Sequence, residues 1–450
     1  MGSSMDLVSN QRGKRNTIIC LISSLLLFFS TSVTALPQMY PDYQFKFKEA
    51  FASTVLGTTP SEQANLPKTI PISTHSISLY EDRDIPSGFY IEDEMKFNVV
   101  ALPYKAPLVF VIAGTGAGYN ASKNKILQKS LYQAGISSIA ISSPTKPDFM
   151  MNASEFSLPG YQYQDAKDIY KVMQATYEEV KEDLDVSWFG VTGYSLGGMN
   201  SAFVSLLDEQ EKVFNFKKVM MINPPVNLYQ SMKNIDKLAA VDLKDVGIVS
   251  ATDFFEKVFA SLGQHYKEIG EIELTPTLLE DIYEQEEKHD LESIAGLIAI
   301  VFRFSSVDIV YTANTRYQLG MIDEKYNDPG TGTSTTEFFK YTYTRWPFGR
   351  YVDEILTAKL PETLGNKTGE QLIQESTLIH IQDYLKSSSK IEVITNRNDP
   401  IYSPGDIKFF AETFDQRATI LPYGGHCGNM NHAFNVKKFQ EFFLSGNQAN

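Results

Sequence analysis

The chain has 450 residues, of which 43% are hydrophobic and 21% charged, and its formal net charge is −14. This length and composition are typical of a globular protein with a large core and exclude an intrinsically disordered chain. The acidic excess repels phosphate backbones, so we expect no nucleic-acid partner.

The N-terminal segment has the pattern of an export signal. Basic residues precede an apolar core at 17–29, and small residues ending at Ala35 provide a cleavage site. The core is short for a bilayer span, which favours cleavage over anchoring. We therefore predict a signal peptide at 1–35, an N-terminal extension at 36–73, and a periplasmic or secreted protein without a stable transmembrane span.

Strand-like and helix-like segments alternate between residues 74 and 225. Runs rich in β-branched and aromatic residues predict the strands, and apolar residues at helical spacing predict the helices. Two hairpin-like strands followed by repeated βα units indicate an α/β fold with a mostly parallel sheet between helices. The predicted strands are 74–82, 88–101, 108–113, 137–142, 187–192 and 218–222, and the predicted helices are 122–134, 165–183 and 199–211.

A nucleophile-elbow pattern, Gly193-Tyr194-Ser195-Leu196-Gly197, lies between a strand-like and a helix-like run. The chain turns so sharply at such a serine that side chains two residues away on either side would collide, which explains both glycines. We predict that Ser195 is a nucleophile. The N–H of Leu196, at the start of the helix, is the first predicted oxyanion donor.

The second predicted oxyanion donor comes from the loop after strand 108–113, which contains three glycines between Ala113 and Gly118. Glycines allow backbone amides to converge on one point, and the N–H of Thr115 is the first choice, with that of Gly116 second. A phosphate cradle is disfavoured because no Gly-Lys-Ser/Thr sequence follows.

Residues 226–389 interrupt the alternation with long amphipathic helical stretches, such as 291–304 and 338–356. Because this segment is far too long for a loop, we predict a helical cap inserted after strand 218–222. Its many aromatic residues indicate a partly apolar pocket, and they fit the cap's own core equally well.

The sheet pattern resumes after the cap, with strands at 391–395 and 418–421 and helices at 406–414 and 431–444. A serine hydroxyl needs a base, and the base needs an orienting acid. Asp399 follows the first of these strands and His426 lies in the glycine-rich loop after the second. We therefore predict Asp399 as the acid and His426 as the base.

Each of these two residues has an alternative. Asp406 could replace Asp399, but its place before an apolar helix is explained by N-capping. His432 could replace His426, but we expect it to be exposed in the terminal helix. Cys427 neighbours the base, and we expect a filler role for it rather than nucleophilic chemistry. No histidine–carboxylate cluster has ligand spacing, so we predict neither a metal nor a cofactor.

With these residues in place, the chain resembles the α/β-hydrolase superfamily. The resemblance implies a triad at Ser195, His426 and Asp399 and an acyl-enzyme route. One departure is Ala113-Gly114 in the oxyanion loop, where many members carry His-Gly. The chain is also similar to a group of exported gammaproteobacterial α/β-hydrolase-like proteins, which implies no substrate. The resemblance covers 74–225 and 390–446, with 226–389 as the cap.

The sequence thus predicts an exported serine hydrolase that cleaves a carboxylic ester, in the manner of an esterase or lipase, with a small-molecule or lipid-like acyl substrate. Two alternatives stay open. One is a binding protein that keeps the fold without the activity, and the other is a peptidase or thioesterase that uses the same triad.

Overall fold

An eight-stranded sheet is the central element of the protein, whose structure is a computed structural model. The structure describes residues 40–80, 83, 94–238, 291–323, 341 and 345–448. The strands are β1 Ser73–Ile77, β2 Met95–Val100, β3 Ala106–Ile112, β4 Ser137–Ile141, β5 Val186–Tyr194, β6 Lys218–Ile222, β7 Ile391–Asn396 and β8 Ala418–Leu421.

The strand order is β1-β2-β4-β3-β5-β6-β7-β8. The β1–β2 and β2–β4 pairs are antiparallel, and every later neighbour pair is parallel. An antiparallel start, the exchange of β3 and β4, and an elbow after β5 are the topology of the α/β-hydrolase fold. The predicted fold class is therefore confirmed.

The central strand β3 shows why the sheet is buried on both faces. All seven residues of its sequence APLVFVI are buried, which is the continuous apolar run expected of a parallel strand covered by helices. Successive side chains point to opposite faces. Leu108 and Phe110 therefore join the larger core cluster, whereas Val109 and Val111 join a second cluster on the other face.

Helices cover both faces of this sheet. The helices predicted for the α/β part begin and end within a few residues of their observed bounds. Strand β1 ends at Ile77, before its predicted end, and residues 81–82 and 88–93 of the first two predicted strands lie outside the described residues. The helices of the N-terminal segment and the α/β part are α1 Ala50–Leu56, α2 Ser122–Gln133, α3 Pro147–Asn152, α4 Gln162–Val180 and α5 Leu196–Glu211. After the cap come α12 Asp406–Phe414 and α13 Ala433–Leu444.

The described part of segment 226–389 is helical. One long helix, predicted to end at 304, continues to Tyr317. The predicted helix 338–356 is not continuous, because Trp346 and Pro347 separate Arg345 from the next helix, and proline lacks the N–H that a helix interior needs. The helices are α6 Leu228–Leu238, α7 Leu291–Tyr317, α8 Phe348–Tyr351 with a π-helical turn at Val352–Leu356, α9 Thr357–Leu364, α10 Gly369–Glu375 and α11 Gln382–Ser387.

Several predictions lie outside the described residues: the signal peptide at 1–35 and the parts of the cap at 239–290, 324–340 and 342–344. Pro41–Asn450 forms one compact unit. Among the helices that the structure describes, none has both the length and the apolar character that a membrane crossing requires.

Candidate active site

The elbow places Ser195 in a strained turn between β5 and α5. Its φ is 55° and its ψ is −126°, a conformation that few non-glycine residues adopt. A Cβ on Gly193 would lie 2.3 Å from the carbonyl oxygen of Gly197, and one on Gly197 would lie 2.2 Å from that of Ile112. Both clashes are with backbone atoms, which cannot move aside as a flexible side chain can. Only glycine therefore fits at these two positions.

Three side chains from distant parts of the sequence form one hydrogen-bonded chain at this elbow. His426 Nε2 lies 2.8 Å from Ser195 Oγ, and His426 Nδ1 lies 2.9 Å from Asp399 Oδ2. His426, Ser195 and Asp399 are 7%, 7% and 5% exposed, respectively. The parallel strands β5, β7 and β8 end at the same edge of the sheet, which is why the loops after them meet there.

The Asp399 carboxylate is held by two further donors. Asn223 Nδ2 donates to Oδ2 at 2.9 Å, and the N–H of Ile401 donates to Oδ1 at 3.1 Å. Asn223 is the first residue after β6 and has a positive φ of 45°. With His426, three donors thus satisfy the oxygens of this buried carboxylate.

A pair of buried asparagines orders the histidine loop from the sheet side. Asn396 Nδ2 donates to the carbonyl oxygen of Gly425 at 2.8 Å. Asn396 and Asn429 also exchange amide hydrogen bonds at 2.7 and 3.0 Å. No motif in the sequence predicts a role for these residues or for Asn223. Their place at the ends of strands was visible in the sequence, but their mutual contacts were not.

The predicted oxyanion loop lies directly against the nucleophile. A Cβ on Gly114 would lie 3.2 Å from Ser195 Cβ and 2.7 Å from a ring carbon of Tyr194, so the close approach depends on glycine. Among the described residues, the N–H groups of Thr115 and Leu196 have no acceptor of their own. Both are therefore free to bind an oxygen atom of a ligand.

The Gly116 amide, predicted as the alternative donor, is already engaged. It donates to Thr145 Oγ1 at 2.7 Å. The turn in which the N–H of Ala117 donates to the Gly114 carbonyl directs it towards that hydroxyl. The Gly116 amide is thus committed to Thr145 in this structure, which favours Thr115 and Leu196 as donors, and the oxyanion role of all three residues stays a prediction.

Helix α7, in the segment predicted as a cap, lies against the site. The ring of Phe302 lies 6.1 Å from the ring of His426, centroid to centroid. A Cβ on Gly116 would lie 2.1 Å from Ser305 Oγ, so the helix touches the oxyanion loop as well. Phe302 lies beside the imidazole and Ser305 beside the oxyanion loop. As a result, little of Ser195 is in contact with solvent.

The alternative residues lie elsewhere. His432 was expected to be exposed, but it is 6% exposed and caps helix α13, and its Nε2 lies 2.7 Å from the carbonyl oxygen of Gln44. Asp406 is not the N-cap of α12, because Gly405 holds that position. Its carboxylate accepts from the N–H of Ser403 at 2.8 Å.

Cys427 is buried beside the base and has a positive φ of 61°. Burial raises the pKa of its thiol far above the usual range, so the thiol stays protonated. The expected filler role fits this environment. Among the residues that the structure describes, no group of three or more His, Cys, Asp or Glu side chains could hold a metal ion.

Fold and site together define the class: a protein with the α/β-hydrolase fold whose elbow serine is hydrogen-bonded to a histidine and an aspartate. The structure brings Ser195, His426 and Asp399 together, and their catalytic role stays a prediction. No family model matches the chain, and no curated protein matches its sequence.

Solved structures do match the chain. A hydrolase from Legionella pneumophila is 13% identical with a TM-score of 0.44, over 86% of this chain and 92% of that one. Proline iminopeptidase from Mycobacterium smegmatis is 12% identical with a TM-score of 0.40, over 84% and 100%. Est1E from Butyrivibrio proteoclasticus is 13% identical with a TM-score of 0.36, over 80% and 98%.

Proposed function

We propose that the protein is a serine hydrolase that cleaves a carboxylic ester through an acyl-enzyme. The observation that carries the proposal is the hydrogen-bonded chain from Asp399 through His426 to Ser195, with distances of 2.9 and 2.8 Å. Both distances are within the range for a working base and nucleophile. A binding protein without activity would have no need to keep this chain of hydrogen bonds buried and aligned.

The geometry supports a specific sequence of proton movements. His426 Nε2 takes the hydroxyl proton as Ser195 Oγ attacks the substrate carbonyl carbon, while Nδ1–H stays bonded to Asp399. The same proton then passes to the leaving alkoxide, and the acyl group remains on Ser195. Water repeats the cycle: it gives a proton to Nε2, attacks the acyl carbon and restores the serine. The N–H groups of Leu196 and Thr115 would bind the oxyanion in both halves.

The substrate we propose is a small acyl ester. The nucleophile is only 7% exposed, and Phe302 of the cap lies beside the base. A small ligand can be enclosed under such a cover, whereas a folded macromolecule cannot reach the serine. Ester is the first choice over amide because an alkoxide leaves more readily than an amine.

Labelling with a fluorophosphonate tests the proposal. The serine oxygen displaces fluoride from phosphorus only where a base activates it, so the folded wild type should be labelled and Ser195→Ala should not. Ser205→Ala is the matched control, since Ser205 lies on the same helix and its hydroxyl contacts Tyr384 rather than His426. A folded wild type that resists the reagent would overturn the proposal.

A single panel of substrates distinguishes an esterase from a thioesterase and a peptidase. Esters, thioesters and p-nitroanilide peptides of graded acyl length are compared by kcat/KM on the purified protein. Highest turnover on short-chain esters supports the esterase proposal. Preference for a thioester or an anilide would instead assign the site to a thioesterase or a peptidase.

We also propose export with removal of residues 1–35. The support is the sequence pattern of basic residues, an apolar core at 17–29 and small residues ending at Ala35. N-terminal sequencing of the mature protein should begin at or near Leu36. A mature protein that begins at Met1 would contradict cleavage.

A further inference from the structure

An N-terminal segment, residues 41–63, packs against the loop that carries the predicted base. Helix α1 lies within this segment, which we call the N-terminal clamp. A Cβ on Gly425 would lie 2.3 Å from Thr54 Oγ1, and a Cβ on Gly428 would lie 1.9 Å from the carbonyl oxygen of Ser53. Two glycines of the histidine loop are therefore required by contact with the clamp.

The contact between the clamp and the loop includes His426, the predicted base. The backbone N–H of His426 donates to Thr54 Oγ1 at 2.9 Å. The Thr54 hydroxyl in turn donates its own proton to the carbonyl oxygen of Ala50 at 2.7 Å, one turn earlier in α1. With the proton committed to Ala50, a lone pair of the hydroxyl must face His426, so the direction of this bond is fixed.

Other clamp residues fix the loop on either side of His426. Asn398 bridges the two segments: its Oδ1 accepts from the N–H of Gly425 at 2.9 Å, and its Nδ2 donates to the carbonyl oxygen of Lys48 at 3.0 Å. Tyr43 donates to the carbonyl oxygen of Tyr423 at 2.8 Å. Tyr43 and Thr54 of the clamp thus bond backbone groups of the loop directly, and Asn398 links the clamp to Gly425.

The clamp also lies against the cap, since α1 contacts helix α7. Phe302 of α7 stands beside the imidazole of His426. Clamp and cap therefore bound the histidine from two directions, while Asn396 holds the loop from the sheet.

We propose that Thr54 is a positioning residue for His426, resting on the proposed serine hydrolase function. It acts through the backbone N–H of the histidine and touches no reacting atom. Both ends of the imidazole are already at hydrogen-bonding distance, 2.8 Å from Ser195 Oγ and 2.9 Å from Asp399 Oδ2. A shift of the backbone by about 1 Å lengthens one of these bonds, and displacements of that size can slow a reaction about 100-fold.

Four variants separate positioning from simple stability. Thr54→Val keeps the shape and removes the acceptor, Thr54→Ala removes the acceptor without adding bulk, and Thr54→Ser restores the hydroxyl. Thr59→Val is the matched control, because the Thr59 hydroxyl bonds Glu62 within the same clamp. The measurements are the second-order rate of fluorophosphonate labelling at a fixed pH and the midpoint of thermal unfolding.

Thr54→Val and Thr54→Ala should label about 10- to 100-fold more slowly at temperatures where both are folded, because the imidazole is no longer held at its distances from Ser195 and Asp399. Thr54→Ser and Thr59→Val should stay within about threefold of wild type, since neither removes an acceptor from His426.

Wild-type labelling rates in both Thr54→Val and Thr54→Ala would overturn the inference, whatever the unfolding midpoints of the two variants. So would a Thr54→Ser variant as slow as Thr54→Val. A wild type that is folded and unlabelled is a different result, because it refutes the proposed function itself.

Discussion

The substitution Asp399→Asn tests the proposed role of the buried carboxylate most directly. Asp399 Oδ2 receives two donors, His426 Nδ1 at 2.9 Å and Asn223 Nδ2 at 2.9 Å, and Oδ1 receives the N–H of Ile401 at 3.1 Å. An asparagine of the same shape offers one acceptor and one NH₂ group. The NH₂ group must therefore face an N–H donor, either that of Ile401 or those of His426 and Asn223.

Either orientation of that amide lowers the rate. If its oxygen faces His426, the imidazole keeps the productive tautomer but the imidazolium loses an ionic partner, worth about 1.5–3 kcal/mol or roughly 10- to 100-fold. If its NH₂ faces His426, Nδ1 becomes an acceptor and Nε2 carries the proton. It then cannot accept the proton of Ser195, which in a related triad costs about 10⁴ in kcat. We expect labelling and turnover to fall by about 10- to 10⁴-fold, depending on which orientation the amide adopts.

The control is Asp406→Asn, the same change at the neighbouring acid. Asp406 accepts from the N–H of Ser403 and does not contact His426, so this variant should stay within about threefold of wild type. Thermal unfolding monitors the fold of both proteins. Equal rates for Asp399→Asn and wild type, or equal losses in the two variants, would refute the assignment of Asp399.

Gly428→Ala should lower the free energy of unfolding by about 1–3 kcal/mol and slow labelling, because its Cβ would lie 1.9 Å from a clamp carbonyl; an unchanged urea midpoint would contradict this contact. Burial raises the pKa of Asp168 from 3.8 to about 6, so the folded protein binds this proton more tightly and loses stability as the pH rises through that range. Relative to Asp168→Asn, wild-type stability should fall by up to about 3 kcal/mol between pH 4 and 7 in urea titrations, and parallel curves would argue against the shift. Burial raises the pKa of Cys427, so its thiol should resist disulfide reagents at about pH 8 until the protein unfolds; rapid reaction of the native protein would show an open site.

Much of the α/β part could be predicted because its signals are local. The run APLVFVI of β3 is apolar over its whole length, which is typical of a strand buried on both faces. Gly193 and Gly197 are required by backbone atoms of the same turn and of Ile112 in the neighbouring strand β3. Asp399 and His426 could be located because parallel strands deliver their following loops to one edge.

The rest of the site depends on contacts between distant segments, which leave no local pattern. Asn223 is an ordinary residue before two prolines in the sequence, and only the fold brings it to Asp399. Thr54 lies in residues 36–73, for which the sequence predicts only an N-terminal extension. His432 was placed in the terminal helix as an exposed residue because nothing nearby in the sequence shows that Gln44 accepts its hydrogen bond.

The distance in sequence between the clamp and the histidine loop has a consequence for synthesis. Thr54 and His426 are 372 positions apart. At about 5–20 residues per second, roughly 20–75 s pass on the ribosome between the two residues. Ser195 and His426 are 231 positions apart, so for roughly 12–46 s of that time the nascent chain carries an elbow serine with no imidazole beside it. Under the proposed mechanism, the serine of a newly made polypeptide therefore has no base to activate it until the last strands have docked.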